Sequence, residues 1–203
     1  MIELLKASHY KKMRWKNGEG YTLEIARSVG ESLAEFDWRI SMADVKTSGD
    51  FSKFNGMNRF LTVLEGQGLS LRIDDDFKHL KTLQSVEFRG DSVVSCELLA
   101  GHIRDFNLIY NPKKFDAQYQ WIFSPEALEI PILSDVMFIF NQSVEVLVIE
   151  IGQQIFHLEH QDSLKLEDEK SLKTIILNQQ FLKQTCLIQL LSLIHISEPT
   201  RPY

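Results

Sequence analysis

Short runs in which polar and apolar residues alternate recur along the whole chain, and they limit its fold more than any other feature. In the block 36–45, Asp37, Arg39 and Ser41 alternate with Trp, Ile and Met side chains. A period of two places successive side chains on opposite faces of a β-strand. Gly, Asn, Asp and Pro separate one run from the next, and few stretches show the periodicity of a helix. The sequence therefore predicts an all-β sandwich or barrel with little helix.

The chain divides near residues 111–114, where Asn, Pro and two Lys residues separate two series of such runs. About seven candidate strands precede this stretch and about seven follow it. We therefore expect an N-terminal barrel over residues 1–111 and a C-terminal barrel over residues 112–191. Residues 192–203 resemble translated vector or adaptor sequence, and we expect them to lie outside the fold.

Composition and charge narrow the class of protein. The chain has 203 residues, of which 44% are hydrophobic, so it can bury a substantial core. Its net charge is −6 and no tract of Lys and Arg stands out, which argues against a nucleic-acid partner. No apolar run reaches the length of a membrane span, and the N-terminus lacks the apolar segment of a signal peptide. Cys96 and Cys186 lie far apart in apolar stretches, which predicts buried free thiols. Together these features predict a cytoplasmic protein without a membrane partner.

Several blocks along the first 110 residues have a recognisable order and spacing. They are Trp15-Lys16-Asn17-Gly18, Thr22 with Glu24-Ile25-Ala26, residues 36–45, residues 51–59, Leu64-Glu65-Gly66, Phe88-Arg89-Gly90-Asp91 and Asp105-Phe106-Asn107. In this order and spacing the blocks resemble the HutD/Ves family. The resemblance implies a bacterial, cytoplasmic double jelly roll, which is a bicupin of the RmlC-like type, tied to histidine utilisation or to stress responses. The resemblance implies no established catalytic activity. The chain departs from the family at Glu19, where glycine is usual, and at residues 108–111, where Met and basic residues are usual.

The six histidines do not form a recognisable metal motif. A metal cupin uses two histidines one residue apart on a strand, a carboxylate soon after them and a third histidine on a later strand. No pair in this chain has that His-x-His spacing. His157 and His160 are three residues apart, so a strand would point them to opposite faces. We therefore predict that the protein holds no metal and no other cofactor.

The sequence favours a binding protein over an enzyme. Cys96 lies in an apolar strand, where burial raises the pKa of a thiol and lowers its reactivity. No nucleophile-elbow motif and no glycine-rich phosphate loop occurs. The enzymatic alternative is metal-independent acid–base catalysis on a small acid or sugar. Glu24 would then be the general base, in a buried setting that raises its pKa.

The strongest candidate site is a set of polar and aromatic residues in the N-terminal half. Arginine offers a planar fork that fits two carboxylate oxygens, so Arg39 and Arg59, with Lys16, would bind a carboxylate. Glu24 and Asp105 would hold the arginines or accept from a ligand N–H group. Trp15 or Trp38 would pack against an apolar or planar part of the ligand. The candidate ligand-binding residues are Trp15, Lys16, Asn17, Thr22, Glu24, Trp38, Arg39, Ser41, Arg59, Asp105 and Asn107.

Two structural alternatives stay open for these residues. In one, Arg39 forms only an internal salt bridge with Glu24 or Asp105. In the other, Asp37, Arg39 and Ser41 face solvent on the outside of the sheet. The period of the strand does not distinguish them from a ligand pocket. The resemblance favours the pocket, because these residue types mark the blocks that carry it.

These observations lead to three functional hypotheses. The first is a metal-free bicupin that binds a small carboxylate metabolite, of the urocanate or formylglutamate class, and moderates histidine utilisation. The second is the metal-independent enzyme that uses Glu24. The third is a protein-interaction module without a ligand. Exposed sheet edges would also allow the chain to form a homodimer.

Overall fold

Strands make up nearly all of the regular structure of the protein. The computed structural model describes residues 1–15, 20–30, 35–124, 126–169, 174–178 and 184–193. These residues form nineteen strands and one 3-10 turn, Ala7–His9. The first half contains β1 (Ile2–Leu5), β2 (Lys11–Arg14), β3 (Gly20–Arg27), β4 (Trp38–Val45), β5 (Gly49–Asp50), β6 (Asn58–Glu65), β7 (Leu69–Ile73), β8 (Asp76–Leu80), β9 (Ser85–Arg89), β10 (Val94–Leu98) and β11 (Ile103–Tyr110). The second half contains β12 (Phe115–Ile122), β13 (Leu128–Pro131), β14 (Val136–Asn141), β15 (Leu147–Ile151), β16 (Gln154–Leu158), β17 (Ser163–Glu167), β18 (Thr174–Asn178) and β19 (Thr185–Ser192).

The strands form four antiparallel sheets that stack as four layers. In the N-terminal half, a six-stranded sheet, β2-β3-β4-β11-β6-β9, packs against a four-stranded sheet, β5-β10-β7-β8. In the C-terminal half, a five-stranded sheet, β1-β17-β14-β19-β12, packs against a four-stranded sheet, β13-β18-β15-β16. Each pair of sheets is a jelly roll, so the chain is an all-β bicupin, and the predicted fold class is confirmed.

Three layers of buried apolar side chains join the four sheets. One fills the N-terminal jelly roll and another fills the C-terminal jelly roll. The middle layer lies between the two large sheets and is rich in aromatic residues, among them Phe106, Phe138 and Phe140. Each buried apolar side chain of this size contributes about 1.5–3 kcal/mol relative to an exposed one. The middle layer therefore holds the two halves against each other.

The alternation in the central strands of the six-stranded sheet gives it two different faces. In β4, Ile40 and Met42 point to the middle layer and pack against the C-terminal half. Arg39 and Ser41, which alternate with them, point into the N-terminal jelly roll, where they line a cavity. The same division holds along β11, which pairs with β4 without a shift of register. The polar face of β4 therefore lies inside the jelly roll rather than on its outer surface.

The ends of the chain differ from the predicted division. β1, which the sequence places in the first half, pairs with β17 of the second half, with Ile2 opposite Leu166. A strand of four residues carries too short a pattern to specify its partner. β19 ends at Ser192, which the sequence places in the tail, and the Ser192 N–H donates to Asp135 Oδ2 at 2.7 Å. The rest of the predicted tail, residues 194–203, lies outside the described residues. The boundary between residues 111 and 112 stays a prediction.

The C-terminal jelly roll is filled by aliphatic side chains. Leu147 and Ile149 of β15 are fully buried among Leu and Ile residues of the facing sheet. Cys96 and Cys186 are both buried and free, as predicted from their apolar surroundings. In the described part of the chain, no helix has the length and apolar character needed to cross a bilayer.

Candidate functional site

The candidate site lies at one end of the N-terminal jelly roll, on the inner face of β3, β4, β11 and β6. The strand register brings the polar residues of this face together. Ser41 of β4 lies opposite Glu24 of β3 on one side and opposite Asn107 of β11 on the other. Ile109 of β11 lies between Arg39 of β4 and Arg59 of β6. Four strands distant in sequence therefore build a single polar surface.

A cavity of about 580 Å³ opens above this surface, within the range of about 300–1,000 Å³ that is typical of small-molecule sites. Aromatic side chains from the segment between β5 and β6 form one wall. The backbone N–H of Phe51 donates to Val94 O at 2.8 Å and that of Phe54 donates to Gly90 O at 2.7 Å, which fixes this wall. The lining residues are Arg14, Trp15, Thr22, Arg39, Ser41, Ala43, Asp50, Phe51, Ser52, Phe54, Arg59, Asn107 and Ile109.

Arg59 is a buried cation at this cavity. Only 6% of the residue is exposed, and its Nε and Nη2 donate to Asn107 Oδ1 at 2.9 and 2.6 Å. The guanidinium lies 4.6 Å from the centre of the Phe51 ring and 5.5 Å from that of Phe88. No carboxylate oxygen of the described residues lies within ion-pair distance of it. Burial lowers the pKa of Arg59 to about 10 and the nearby charge of Asp105 opposes this shift, so the side chain stays charged at neutral pH without a direct ion pair.

Arg39 differs from Arg59 because it has an ionic partner. Its Nε donates to Glu24 Oε2 at 2.8 Å, and both side chains are mostly buried. The internal salt bridge that the sequence allows is therefore present, and Arg39 lines the cavity as well. Glu24 itself is engaged by Arg39 through this ion pair.

Asp105 lies beneath the cavity and is fully buried. Its Oδ1 accepts a hydrogen bond from Asn107 Nδ2 at 2.7 Å, while Oδ2 has no hydrogen-bond partner among the described residues. The Asn107 amide thus donates to Asp105 and accepts from Arg59, which fixes its orientation. Burial raises the pKa of Asp105 to about 6, and the positive charge of Arg59 opposes this shift.

The unfolding free energy of the unliganded protein should decrease as pH rises from about 4 to above 6, because of Asp105. Its folded pKa of about 6 exceeds the ordinary value of 3.8, so the folded state binds the proton more tightly than the unfolded state does. The resulting stabilisation is present below pH 4 and is lost as pH rises through 6, and it amounts to about 3 kcal/mol. Urea unfolding at a series of pH values measures the effect. Asp105→Asn should remove this component, and an unchanged profile in that variant would contradict the assignment.

Trp15 and Thr22, both predicted ligand contacts, line the cavity. The indole Nε1 of Trp15 donates to Thr22 Oγ1 at 2.9 Å, so the ring stands as a fixed wall of the cavity. Trp38, which the sequence offers as an alternative wall, lies on the opposite face of β4 in the middle layer and is 2% exposed. It neighbours Arg39 along the strand, and the period of two sends the two side chains to opposite faces. Lys16 and Asn17, also predicted ligand contacts, lie outside the described residues.

Sequence reasoning did not assign roles to seven lining residues, which are Arg14, Ala43, Asp50, Phe51, Ser52, Phe54 and Ile109. Three of them, at positions 51, 52 and 54, fall within a block that carries the family resemblance. Aromatic residues directly before the strand that begins with Asn58 and Arg59 are the signal that could have found them. Their contact with the site depends on how the preceding segment folds back over the sheet, which no local pattern shows.

The described residues contain no group of three His, Cys, Asp or Glu side chains close enough together to hold a metal ion. A second, more open depression of about 760 Å³ lies beside Tyr21, Asp44, Lys46 and His102. Tyr21 and Asp44 there are already engaged by Arg104, which donates to Asp44 Oδ1 at 2.6 Å and to Tyr21 OH at 3.3 Å. The cavity at Arg59 is therefore the better candidate for an anionic ligand.

The fold and the site together define the class of protein: a bicupin whose N-terminal jelly roll contains an arginine-lined polar cavity. The sequence matches the HutD family over residues 7–183. The chain belongs to the HutD family, which confirms the resemblance.

Known proteins support this membership. A 21.2 kDa uncharacterized protein in the hutC 3' region of Pseudomonas putida is 40% identical over 192 residues, covering 94% of this chain and 98% of that protein. The structure of HutD from Pseudomonas fluorescens SBW25 (formate condition) is 37% identical with a TM-score of 0.83. The match covers 95% of this chain and 99% of that chain. The bacterial pirin YhhW from Escherichia coli, 14% identical with a TM-score of 0.66 over 95% and 99% of the two chains, shares the fold alone.

Proposed function

We propose that this protein binds a small carboxylate metabolite in the N-terminal cavity and thereby moderates histidine utilisation. One observation carries the proposal: Arg59 is a buried cation at the cavity with no paired carboxylate among the described residues. A buried charge is costly unless it is paired. A ligand carboxylate would supply the missing partner.

The guanidinium of Arg59 is prepared for such a ligand. Its two bonds to Asn107 use two of the five N–H donors of the side chain. Phe51 and Asn107 hold the plane of the group in place, so little conformational entropy is lost when an anion binds. The donors of a planar fork match the two oxygens of a carboxylate.

The other lining residues indicate the size and character of the ligand. Trp15, Phe51 and Phe54 present apolar or planar surface, while Ser41 and Thr22 add hydroxyl groups. A compact metabolite with one carboxylate against Arg59 and a planar or short polar body fits this combination. Urocanate and formylglutamate have this character. HutD from P. fluorescens and the P. putida protein from the hutC region connect the family with histidine utilisation.

The test is thermal unfolding of the purified protein with formate, urocanate, formylglutamate and histidine, each titrated to saturation. A ligand that binds only the folded state adds about 2.7 kcal/mol of stability at one hundred times its Kd. We expect a saturable rise in Tm with at least one of the carboxylates. An uncharged amide analogue of the same ligand is the control and should give no rise. A Tm that none of the carboxylates changes would reject the proposal and favour an interaction with another protein.

A further inference from the structure

We propose that the cavity takes up its carboxylate together with one proton, and that Asp105 is the group that accepts the proton. This inference rests on the proposed carboxylate site at Arg59 and adds a coupled event beneath it. Asp105 is not among the residues that line the cavity. It acts through Asn107 and Arg59, so it is a positioning residue rather than a ligand contact.

The geometry around Asp105 leaves one of its oxygens without support. The residue is fully buried, Oδ1 accepts from Asn107, and Oδ2 lacks a hydrogen-bond partner in the described part of the chain. An ionised carboxylate with an unsatisfied oxygen is far more costly in such a place than a neutral acid. A proton on Oδ2 would remove the charge from the atom that has no partner.

Arg59 of β6 is the principal positive charge that favours ionised Asp105. The Asn107 amide on β11, which donates to the carboxylate, and the backbone N–H of Ala43 on β4 also favour the ionised form. The other titratable neighbours of Asp105 are Asp44 of β4 and the Cys96 thiol of β10, and neither carries a positive charge. Asp44 is itself paired with Arg104. Ionisation of Asp105 therefore depends mainly on a single guanidinium.

A carboxylate bound to Arg59 would share that guanidinium with Asp105. Two carboxylates next to one cation raise each other's affinity for protons. Because burial already brings the pKa of Asp105 to about 6, a modest further rise brings it into the neutral range. The balanced step is as follows: one ligand anion and one proton from solvent enter, the Asp105 carboxylate becomes a carboxylic acid, and Arg59 stays protonated. The net charge of the site is then the same before and after binding.

The experiment is calorimetric titration with formate between about pH 5.5 and 8, a range in which formate stays ionised. Titrations in two buffers of different ionisation enthalpy give the number of protons taken up. No histidine is among the described residues that line the cavity, so imidazole titration does not mask the effect. The variant is Asp105→Asn, which mimics the protonated acid in shape. The control is Asp116→Asn, which removes an exposed carboxylate on β12, outside the cavity.

For the unaltered protein we expect the Kd for formate to rise with pH between about 6 and the higher pKa of Asp105 in the complex, by about tenfold in total for each pKa unit gained on binding, with partial proton uptake over that range. Asp105→Asn should give a Kd that does not change with pH and no proton uptake, whereas Asp116→Asn should keep the original pH dependence. Formate binding without proton uptake, or an Asp105→Asn variant that keeps the slope, would overturn this inference and leave the proposed function standing. If formate does not bind, the same titrations use the carboxylate that raises the Tm, and failure of every carboxylate to bind at any pH would overturn both.

Discussion

Replacing Arg59 with glutamine is expected to weaken binding of the carboxylate ligand roughly 10- to 100-fold. A charge-assisted hydrogen bond contributes about 1.5–3 kcal/mol, which corresponds to this range of Kd. Glutamine can still donate to Asn107 Oδ1, so the local hydrogen bond is kept while the positive charge is lost. Because Arg59 is buried without a paired anion, we expect the variant to stay folded with little loss of stability. Calorimetric titration with whichever carboxylate raises the Tm measures the effect.

Arg72→Gln is the matched control for this variant. Arg72 lies on β7, is more than half exposed, and interacts with Asp75 at 3.7 Å on the protein surface. Its replacement changes the net charge by the same amount without touching the cavity. Weakening of equal size in both variants would mean that long-range charge, rather than contact with Arg59, governs binding.

The second large effect concerns stability, and we expect Phe140→Ala to lower the unfolding free energy by about 3–5 kcal/mol. Phe140 is fully buried in the middle layer, and its ring centre lies 4.6 Å from that of Phe106 and 6.4 Å from that of Trp121. Truncation would leave a cavity between the two halves, in a layer that closely packed aromatic rings cannot easily refill. Urea unfolding monitored by tryptophan fluorescence would measure the change.

Phe77→Ala serves as the control, because Phe77 lies on the hairpin strand β8 and is 69% exposed. Its truncation should change the unfolding free energy by no more than about 0.5 kcal/mol. Below its lower Tm, the Phe140→Ala protein should still bind the carboxylate, since Phe140 does not line the cavity. A loss of stability below about 1 kcal/mol would show that the middle layer contributes less than its burial indicates.

The two variants together separate the roles of the two faces of one sheet. Arg59 lies on the face inside the N-terminal jelly roll, and Phe106, which contacts Phe140, lies on the face toward the other half. The alternation along β6 and β11 assigns each residue to its face. One variant should lose binding and keep stability, while the other should lose stability and keep binding.

Much of the fold could be predicted from local pattern. The alternation in the block 36–45 appears as β4, and the break at residues 111–114 separates β11 from β12. These features depend on neighbours in the chain, so the sequence shows them directly. The pairing of β1 with β17 could not be predicted in this way, because the two strands lie more than 150 residues apart.

Only part of the candidate site could be predicted from the sequence, because strand periodicity groups residues by face without placing the faces in the fold. The period of two shows that Arg39 and Ser41 share a face opposite Trp38, but it does not show which face is covered by the other half of the protein. The C-terminal half covers the face that carries Trp38, so Trp38 lies outside the cavity. Arg59, Asp105 and Asn107 lie on the opposite face, linked by hydrogen bonds through Asn107.

By itself, the sequence determined the all-β class, the family blocks and the residue types of the proposed carboxylate site. The packing of four sheets decided which of these charges has a partner. Arg39 lies within reach of Glu24, whereas Arg59 is buried beside an amide and two aromatic rings. Desolvation and the distance to a counter-charge are properties of the assembled sheets, and strand periodicity does not encode them.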